Sequence, residues 1–234
     1  MRLDKYLADC GFGTRSEIKK LVRSGRVMVD GSVTSKPDTH IDENGTDILV
    51  DGVKTLYKKY IYLMLNKPEG YVSATYDKYK PTVAELIPSE YAHFEAFPVG
   101  RLDIDTTGIL ILTNDGETAH RLLSPTHHVP KKYIARTDLP ITQRDVTAFS
   151  EGMDLGDFVA KPAKLTILDE RLAEVTIHEG KFHQVKRMFE KVGKMVLSLK
   201  RIAMNKLYLD EELAVSETRE LTEEELKLLT FGIR

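Results

Sequence analysis

The chain changes character near residues 51–59, and that break limits the folds open to it more than any other feature. Only Pro37 of the nine prolines precedes it. The stretch Asp51-Gly52-Val53-Lys54-Thr55-Leu56-Tyr57-Lys58-Lys59 has no sustained hydrophobic period. The β-like run Tyr60-Ile61-Tyr62-Leu63-Met64-Leu65 then opens what reads as a new unit. The sequence therefore predicts a small N-terminal module over 1–58 and a larger domain over 59–234.

Composition narrows the setting. With 41% apolar and 30% charged residues the chain is ordinary globular material, and no apolar run approaches the roughly 18–20 residues that span a bilayer. The start, Met1-Arg2-Leu3-Asp4-Lys5-Tyr6, lacks the apolar core of a signal peptide, and the lone Cys10 rules out an internal disulfide or a Cys-rich zinc module. A cytoplasmic protein is expected. The net charge of −2 conceals two basic regions. Residues 1–26 carry seven Lys/Arg against three acids, and residues 181–201 carry seven against Glu190 alone, whereas 27–58 and 210–227 are acidic. Any nucleic-acid binding must come from these local patches.

In the first module Leu3, Tyr6, Leu7 and Cys10 fall on one face of a short helix ended by Gly11 and Gly13. Thr14-Arg15-Ser16-Glu17 fits a capping box opening a second helix, with Ile18, Leu21 and Val22 as its buried stripe. Arg15, Lys19 and Arg23 then share one outward face. Val27-Met28-Val29 reads as a strand entering a tight turn at Asp30-Gly31. A basic helix face is ordinarily just solvated, but here few acids neutralise it. The pattern RLDKYL, Gly, TRSEIKKLVRSGRVMVDG resembles the S4 RNA-binding domain almost position for position. That resemblance implies Arg2, Lys5, Arg15, Lys19, Lys20, Arg23 and Arg26 as phosphate contacts, which position RNA without reading its sequence.

The second domain contains Gly100-Arg101-Leu102-Asp103-Ile104-Asp105-Thr106-Thr107-Gly108, a polar loop leading into the apolar strand Ile109–Leu112. Polar residues on a loop held by a rigid strand are where catalytic groups tend to lie, although a loop Asp more often caps a turn. The segment resembles the catalytic motif GRLDxDTTG of the pseudouridine synthases, in the branch that joins an S4 domain to the synthase domain. Leu65–Val72 is similar to that family's NKPxGxV segment. Lys131-Lys132-Tyr133-Ile134-Ala135 resembles its KxYxV strand, with Ala135 departing from Val, and Glu179–Met188 resembles EGxxHQVxRM. Pro81-Thr82-Val83, Ser124-Pro125-Thr126-His127-His128 and His183–Met188 are most similar to the branch that acts on bacterial 16S rRNA.

The resemblance implies isomerisation of uridine to pseudouridine: the N1–C1′ bond breaks, the base turns, and C5 joins C1′. Redox-neutral chemistry of this kind needs no external donor, in keeping with a sequence that has no P-loop or dinucleotide fingerprint; no cofactor and no metal are expected. Asp103 is implied as the essential carboxylate, either adding to the sugar or removing the C2′ proton. Either role needs a cation to keep it ionised in a partly dry pocket. Lys186 occupies the family position for that cation. Arg187 beside it points about 100° away on a helix, so only one of the two can face the pocket. Tyr133 is implied to stack on the uracil and serve in proton transfer from C5. Arg101 is implied to fill the gap left by the extruded base. Asp105, with Thr106 and Thr107, reads as loop hydrogen bonding. Lys181, His183, Gln184 and Arg187 are expected on the RNA-binding surface, with His183 and Gln184 also organising the basic helix.

Strands are expected at about 60–65, 109–113, 132–137, 163–168, 173–178 and 196–199, and helices at 117–123, 142–151, 184–192 and 222–230. This order predicts an α+β fold, a small S4 domain plus a synthase domain on a largely antiparallel mixed sheet. The expected partner is 16S rRNA or a small-subunit assembly particle, with no membrane and the chain acting as a monomer. Two other readings remain: a large-subunit 23S enzyme, and a non-catalytic rRNA-binding assembly factor. Intact Asp103, Tyr133 and Lys186 speak against the assembly factor. A small-molecule glycosidase would leave the S4-like module unexplained.

Overall fold

The computed structural model describes residues 1–43 and 45–233, and their contacts divide the chain into two units. The first comprises Met1–Ile61 with Pro88–Glu95, and the second Tyr62–Ile87 with Ala96–Arg234. The sequence alone assigns 88–95 to the second domain. Those residues form a short 3-10 helix, Ser89–Phe94, with no buried residue of its own and hence no apolar period to reveal it.

The first unit begins with helices α1 (Leu3–Asp9) and α2 (Arg15–Arg23). The Thr14–Glu17 capping box forms in both directions: the Thr14 N–H donates to Glu17 Oε2 (2.7 Å), and the Glu17 N–H to Thr14 Oγ1 (3.4 Å). Four antiparallel strands follow, β1 (Val27–Val29), β2 (Ser32–Val33), β3 (Ile48–Val50) and β4 (Val53–Lys54), in the order β2-β1-β3-β4. Asp30 and Gly31, both at positive φ, make the β1–β2 turn. Leu3, Tyr6, Leu7, Ile18, Val22 and Ile48 pack into one core.

The second unit is built on a nine-stranded sheet. Its central path runs through β5 (Tyr62–Lys67), β7 (Thr106–Thr113), β8 (Lys131–Thr137), β11 (Lys164–Asp169), β12 (Leu172–Ile177), β13 (Val196–Met204) and β15 (Thr218–Glu220), in the order β11-β12-β8-β13-β7-β5-β15. The short strands β6 (Phe97–Pro98) and β14 (Leu207–Tyr208) add to β7 and β13, and β9 (Met153–Asp154) pairs with β10 (Val159–Ala160) in a separate hairpin. Helices α3 (Gly116–Leu123), α4 (Gln143–Glu151), α5 (Gln184–Lys191) and α6 (Glu223–Leu229) complete the unit. The pairings are antiparallel except β7 with β13, which is parallel. The largely antiparallel mixed sheet and the α+β class are thus as expected.

Two strand ends differ from the sequence reading in ways that matter for the site. The first strand begins at Tyr62 and continues through Asn66 and Lys67 until Pro68 cannot donate to the ladder. The strand expected to end at 199 runs on to Met204 and takes Lys200 and Arg201 into the sheet. Both extensions contain cations that are buried, Lys67 at 0% exposure and Arg201 at 3%. A hydrophobic-pattern reading treats such residues as the edge of a strand.

Candidate active site

The catalytic-type loop is fixed from below. Gly108 sits at φ +99°, where β7 meets β13, and an added Cβ would lie 2.1 Å from the Arg201 carbonyl oxygen. Only glycine permits this approach. Upstream, the Lys67 ammonium donates to the carbonyls of Pro68 (3.0 Å), Asp103 (3.2 Å), Ile104 (3.4 Å) and Thr106 (3.0 Å). Burial pushes Lys67 down to about 8. Ser73 Oγ donates to the Leu102 carbonyl and accepts from its N–H (2.9 and 3.0 Å), and the Gly70 N–H donates to the Ile104 carbonyl (2.8 Å). The loop carrying Asp103 is therefore tied to β5 and the segment behind it through three side-chain or backbone anchors.

The basic helix α5 meets this loop. His183, in the left-handed conformation at φ 50°, precedes it. Gln184 is buried, donating to Glu179 Oε1 (2.8 Å) and accepting from the Lys181 N–H (3.1 Å). Those bonds use Gln184 internally, so its expected place on the RNA-binding surface is corrected to anchoring the turn into α5. Lys186 then faces Asp103, with Nζ 3.3 Å from Oδ2. Arg187 points elsewhere, pairing with Asp157, donating to the Leu155 carbonyl (2.7 Å) and lying over the Phe158 ring. The helix-phase argument that only one of the two can face the pocket agrees with these contacts, while Arg187 as a free RNA-binding cation does not.

Asp105 also departs from the reading as loop hydrogen bonding. Its Oδ1 lies 2.5 Å from Lys186 Nζ, so the lysine bridges two carboxylates. Burial would raise the Asp105 carboxyl, but the Lys186 hydrogen bond and charge outweigh it and hold it below the ordinary range. The other Asp103 oxygen, Oδ1, is 3.6 Å from His183 Nε2, and the imidazole stacks on Phe182 with centroids 3.8 Å apart. Asp103 is thus flanked on both oxygens by nitrogen groups of α5 or its entry.

Tyr133 lies on β8, 8% exposed, opposite Arg201 of β13. Tyr133, Asp103, Asp105, Lys186, Arg101, Lys181 and His183 all line one cleft of about 670 Å³. Arg101 and Lys181 are exposed at its rim. A carboxylate held by a lysine and an aromatic ring on the opposite strand, in a cleft wide enough for a nucleotide, can receive a flat base and place its sugar at the carboxylate. Sequence reasoning misses the places of Lys67, Lys131 and Arg201 in this arrangement. For Arg201 the signal that could have found it is a cation between the apolar residues of one strand; Lys67 and Lys131 stand at strand ends and carry no such signal.

On the first unit the seven expected phosphate contacts fall into two groups. Arg2 is bonded to Asp4 through Nε (3.0 Å) and Nη2 (2.8 Å), Lys5 to Asp9 (2.8 Å), and Arg26 to Asp51 through Nε (2.7 Å). Arg15, Lys19, Lys20 and Arg23 are exposed, and among the described residues none has a carboxylate within ion-pair distance. Free positive charge on this unit is concentrated on α2.

Residues 61–191 match the RNA pseudouridylate synthase family, and residues 1–47 match the S4 domain. The chain is 47% identical to the uncharacterised RNA pseudouridine synthase YtzG of Bacillus subtilis, over 98% of both chains. It is 38% identical to ribosomal small subunit pseudouridine synthase A of Escherichia coli, covering 97% of this chain and 98% of that one. A crystal structure described as a pseudouridylate synthase superposes with a TM-score of 0.69 at 36% identity, covering 98% of this chain and 99% of that chain. Among the described residues no helix is long and apolar enough to cross a membrane.

Proposed function

The chain belongs to the RNA pseudouridylate synthase family, with an S4 domain ahead of the synthase domain, and on that footing we propose that it isomerises one uridine of 16S rRNA in the cytoplasm, acting as a monomer. Pseudouridine synthase activity on RNA follows from the family. The small-subunit target is supported by near-full-length likeness to relatives named for that subunit.

The observation that carries the chemical reading is the Asp103–Lys186 pair in one cleft with Tyr133. Lys186 places its ammonium 3.3 Å from the Asp103 carboxylate, the group that would act at the sugar whether it adds to C1′ or takes the C2′ proton. In this reading Tyr133, which lines the same cleft, covers the uracil face and offers its hydroxyl when C5 loses its proton after joining C1′. The proton lost from C5 is balanced by one gained at N1. Arg101, at the rim, supports the role of filling the space left by the extruded nucleotide. The exposed α2 cations Arg15, Lys19, Lys20 and Arg23 supply the sequence-independent attraction to the RNA backbone.

Mapping pseudouridine in 16S and 23S transcripts and in small-subunit particles, after incubation with wild-type or Asp103→Asn protein, tests this reading. A single new site in 16S RNA that is lost in the variant is the expected result. A site in 23S RNA overturns the target and keeps the chemistry. Tight binding with no pseudouridine in any of these RNAs overturns the enzymatic reading in favour of an assembly factor.

A further inference from the structure

Lys131 and Arg201 stand on the sheet face that floors the cleft. Lys131 is two residues before Tyr133 on β8, and Arg201 is Tyr133's cross-strand partner on β13. All three side chains line the cleft that holds Asp103 and Lys186. The two cations are 7% and 3% exposed. Lys131 Nζ donates to the Val129 carbonyl (2.9 Å) and Arg201 Nε to the Ile109 carbonyl (2.9 Å), while Arg201 Nη2 is buried without a partner.

Among the described residues neither cation has a carboxylate within ion-pair distance. The two acids in the cleft, Asp103 and Asp105, both face Lys186 instead. Burial, and then the charge of Arg201, push Lys131 down to about 8. Two buried cations without a counter-charge destabilise the free protein, because each loses its hydration and repels the other. Such an arrangement is relieved when a ligand brings the anion. The formal negative charges of an RNA are its phosphodiesters.

We propose that Lys131 and Arg201 form a buried seat for the phosphodiester of the nucleotide that enters the cleft, placed beneath Tyr133. This rests on the reading of the cleft as the synthase site. It adds a recognition element at the floor, distinct from the exposed cations of α2 that meet the backbone from outside. Drawing the backbone of the extruded nucleotide into the cleft would fix the sugar relative to Asp103.

Titration of the full-length protein with uridine, uridine 3′-monophosphate and uridine 5′-monophosphate, followed by NMR, tests the seat. Wild-type protein is expected to prefer one monophosphate over uridine by about ten-fold or more, the order contributed by one charge-assisted hydrogen bond. Lys131→Met is expected to lose most of that preference, keeping only what Arg201 supplies. Whether the 3′ or 5′ compound is preferred identifies the phosphodiester, and either result supports the seat. Equal binding of all three by wild-type protein, or an undiminished preference in folded Lys131→Met, overturns it.

Should that variant not fold, the Lys131 ¹³Cε signal of wild-type protein is titrated with and without the monophosphate. An upward move of its midpoint supports the seat, and an unmoved midpoint refutes it. Pseudouridine mapping separates the two readings. Isomerisation without phosphate preference removes the seat alone, and phosphate preference without isomerisation in any RNA removes the enzymatic reading alone.

Discussion

Replacing Lys67 by methionine keeps the length of the side chain and deletes the ammonium that the carbonyls of Pro68, Asp103, Ile104 and Thr106 surround. The lysine is fully buried and its folded pKa is lowered from 10.5 to about 8. The unfolded chain therefore binds the proton more tightly, and wild-type stability rises with pH across the window from about 8 to 10.5. At pH 7 both states are protonated and the burial cost is about 3 kcal/mol, whereas at pH 9.5 about 1 kcal/mol of it remains. Lys67→Met has no such term. Whatever the gap between wild type and variant at pH 7, it should move in favour of wild type by about 2 kcal/mol at pH 9.5. Urea unfolding of both proteins at the two pH values, followed by far-UV circular dichroism and fitted with separate transitions for the two units, measures that movement. A gap that stays constant, or moves the other way, refutes the placement of a charged Lys67 among those carbonyls. In the same variant the Asp103 loop loses its main tether, and turnover should fall even where the fold persists.

Gly108→Ala should destabilise the synthase unit by about 3 kcal/mol or more, since the new methyl meets the backbone of Arg201 at a positive φ; a thermal melt within a degree of wild type would contradict the packing. Lys186→Met should lower single-turnover isomerisation by about 10²-fold or more, while Arg187→Met, paired with Asp157 away from Asp103, should stay within about two-fold of wild type; equal losses would mean the helix is rotated from the arrangement described. The double variant Lys19→Glu, Arg23→Glu should weaken binding to 16S RNA and flatten the slope of log affinity against log salt by about 1 for each phosphate that is no longer neutralised. Filter binding between low and physiological salt reads that slope, and an unchanged value would take α2 out of the interface.

Much of the architecture was legible because its signals are local. The Thr14–Glu17 capping box, the Asp30-Gly31 turn and the apolar stripe of Ile18 and Val22 each need only a few neighbouring residues, and each forms as expected. The choice of Lys186 over Arg187 agrees with the contacts, and helix geometry alone says that the two cannot both face the pocket. The illegible part consists of charges in unusual surroundings. Lys67 and Lys131 are buried at strand ends and Arg201 inside β13, and a pattern that equates charge with solvent stops the strand short of each. Asp105 differs again: two residues from Asp103 on one loop, its partner is set by where α5 arrives, and no local spacing encodes that. Arg26 shows the same limit, since its partner Asp51 lies 25 residues away.

The parallel pairing between Thr106–Gly108 of β7 and Leu199–Arg201 of β13 bears on how the molecule is made. Asp103 stands just ahead of one partner and Lys186 lies on α5, the helix that precedes the other, so the cleft joins two stretches of chain that leave the ribosome far apart in time. Until α5 has emerged, the nascent polypeptide can pair β5 with β7 but lacks the Lys186 ammonium that faces the Asp103 carboxylate. The Asp103–Lys186 cleft is thus a late product of synthesis, assembled only when most of the domain has been made.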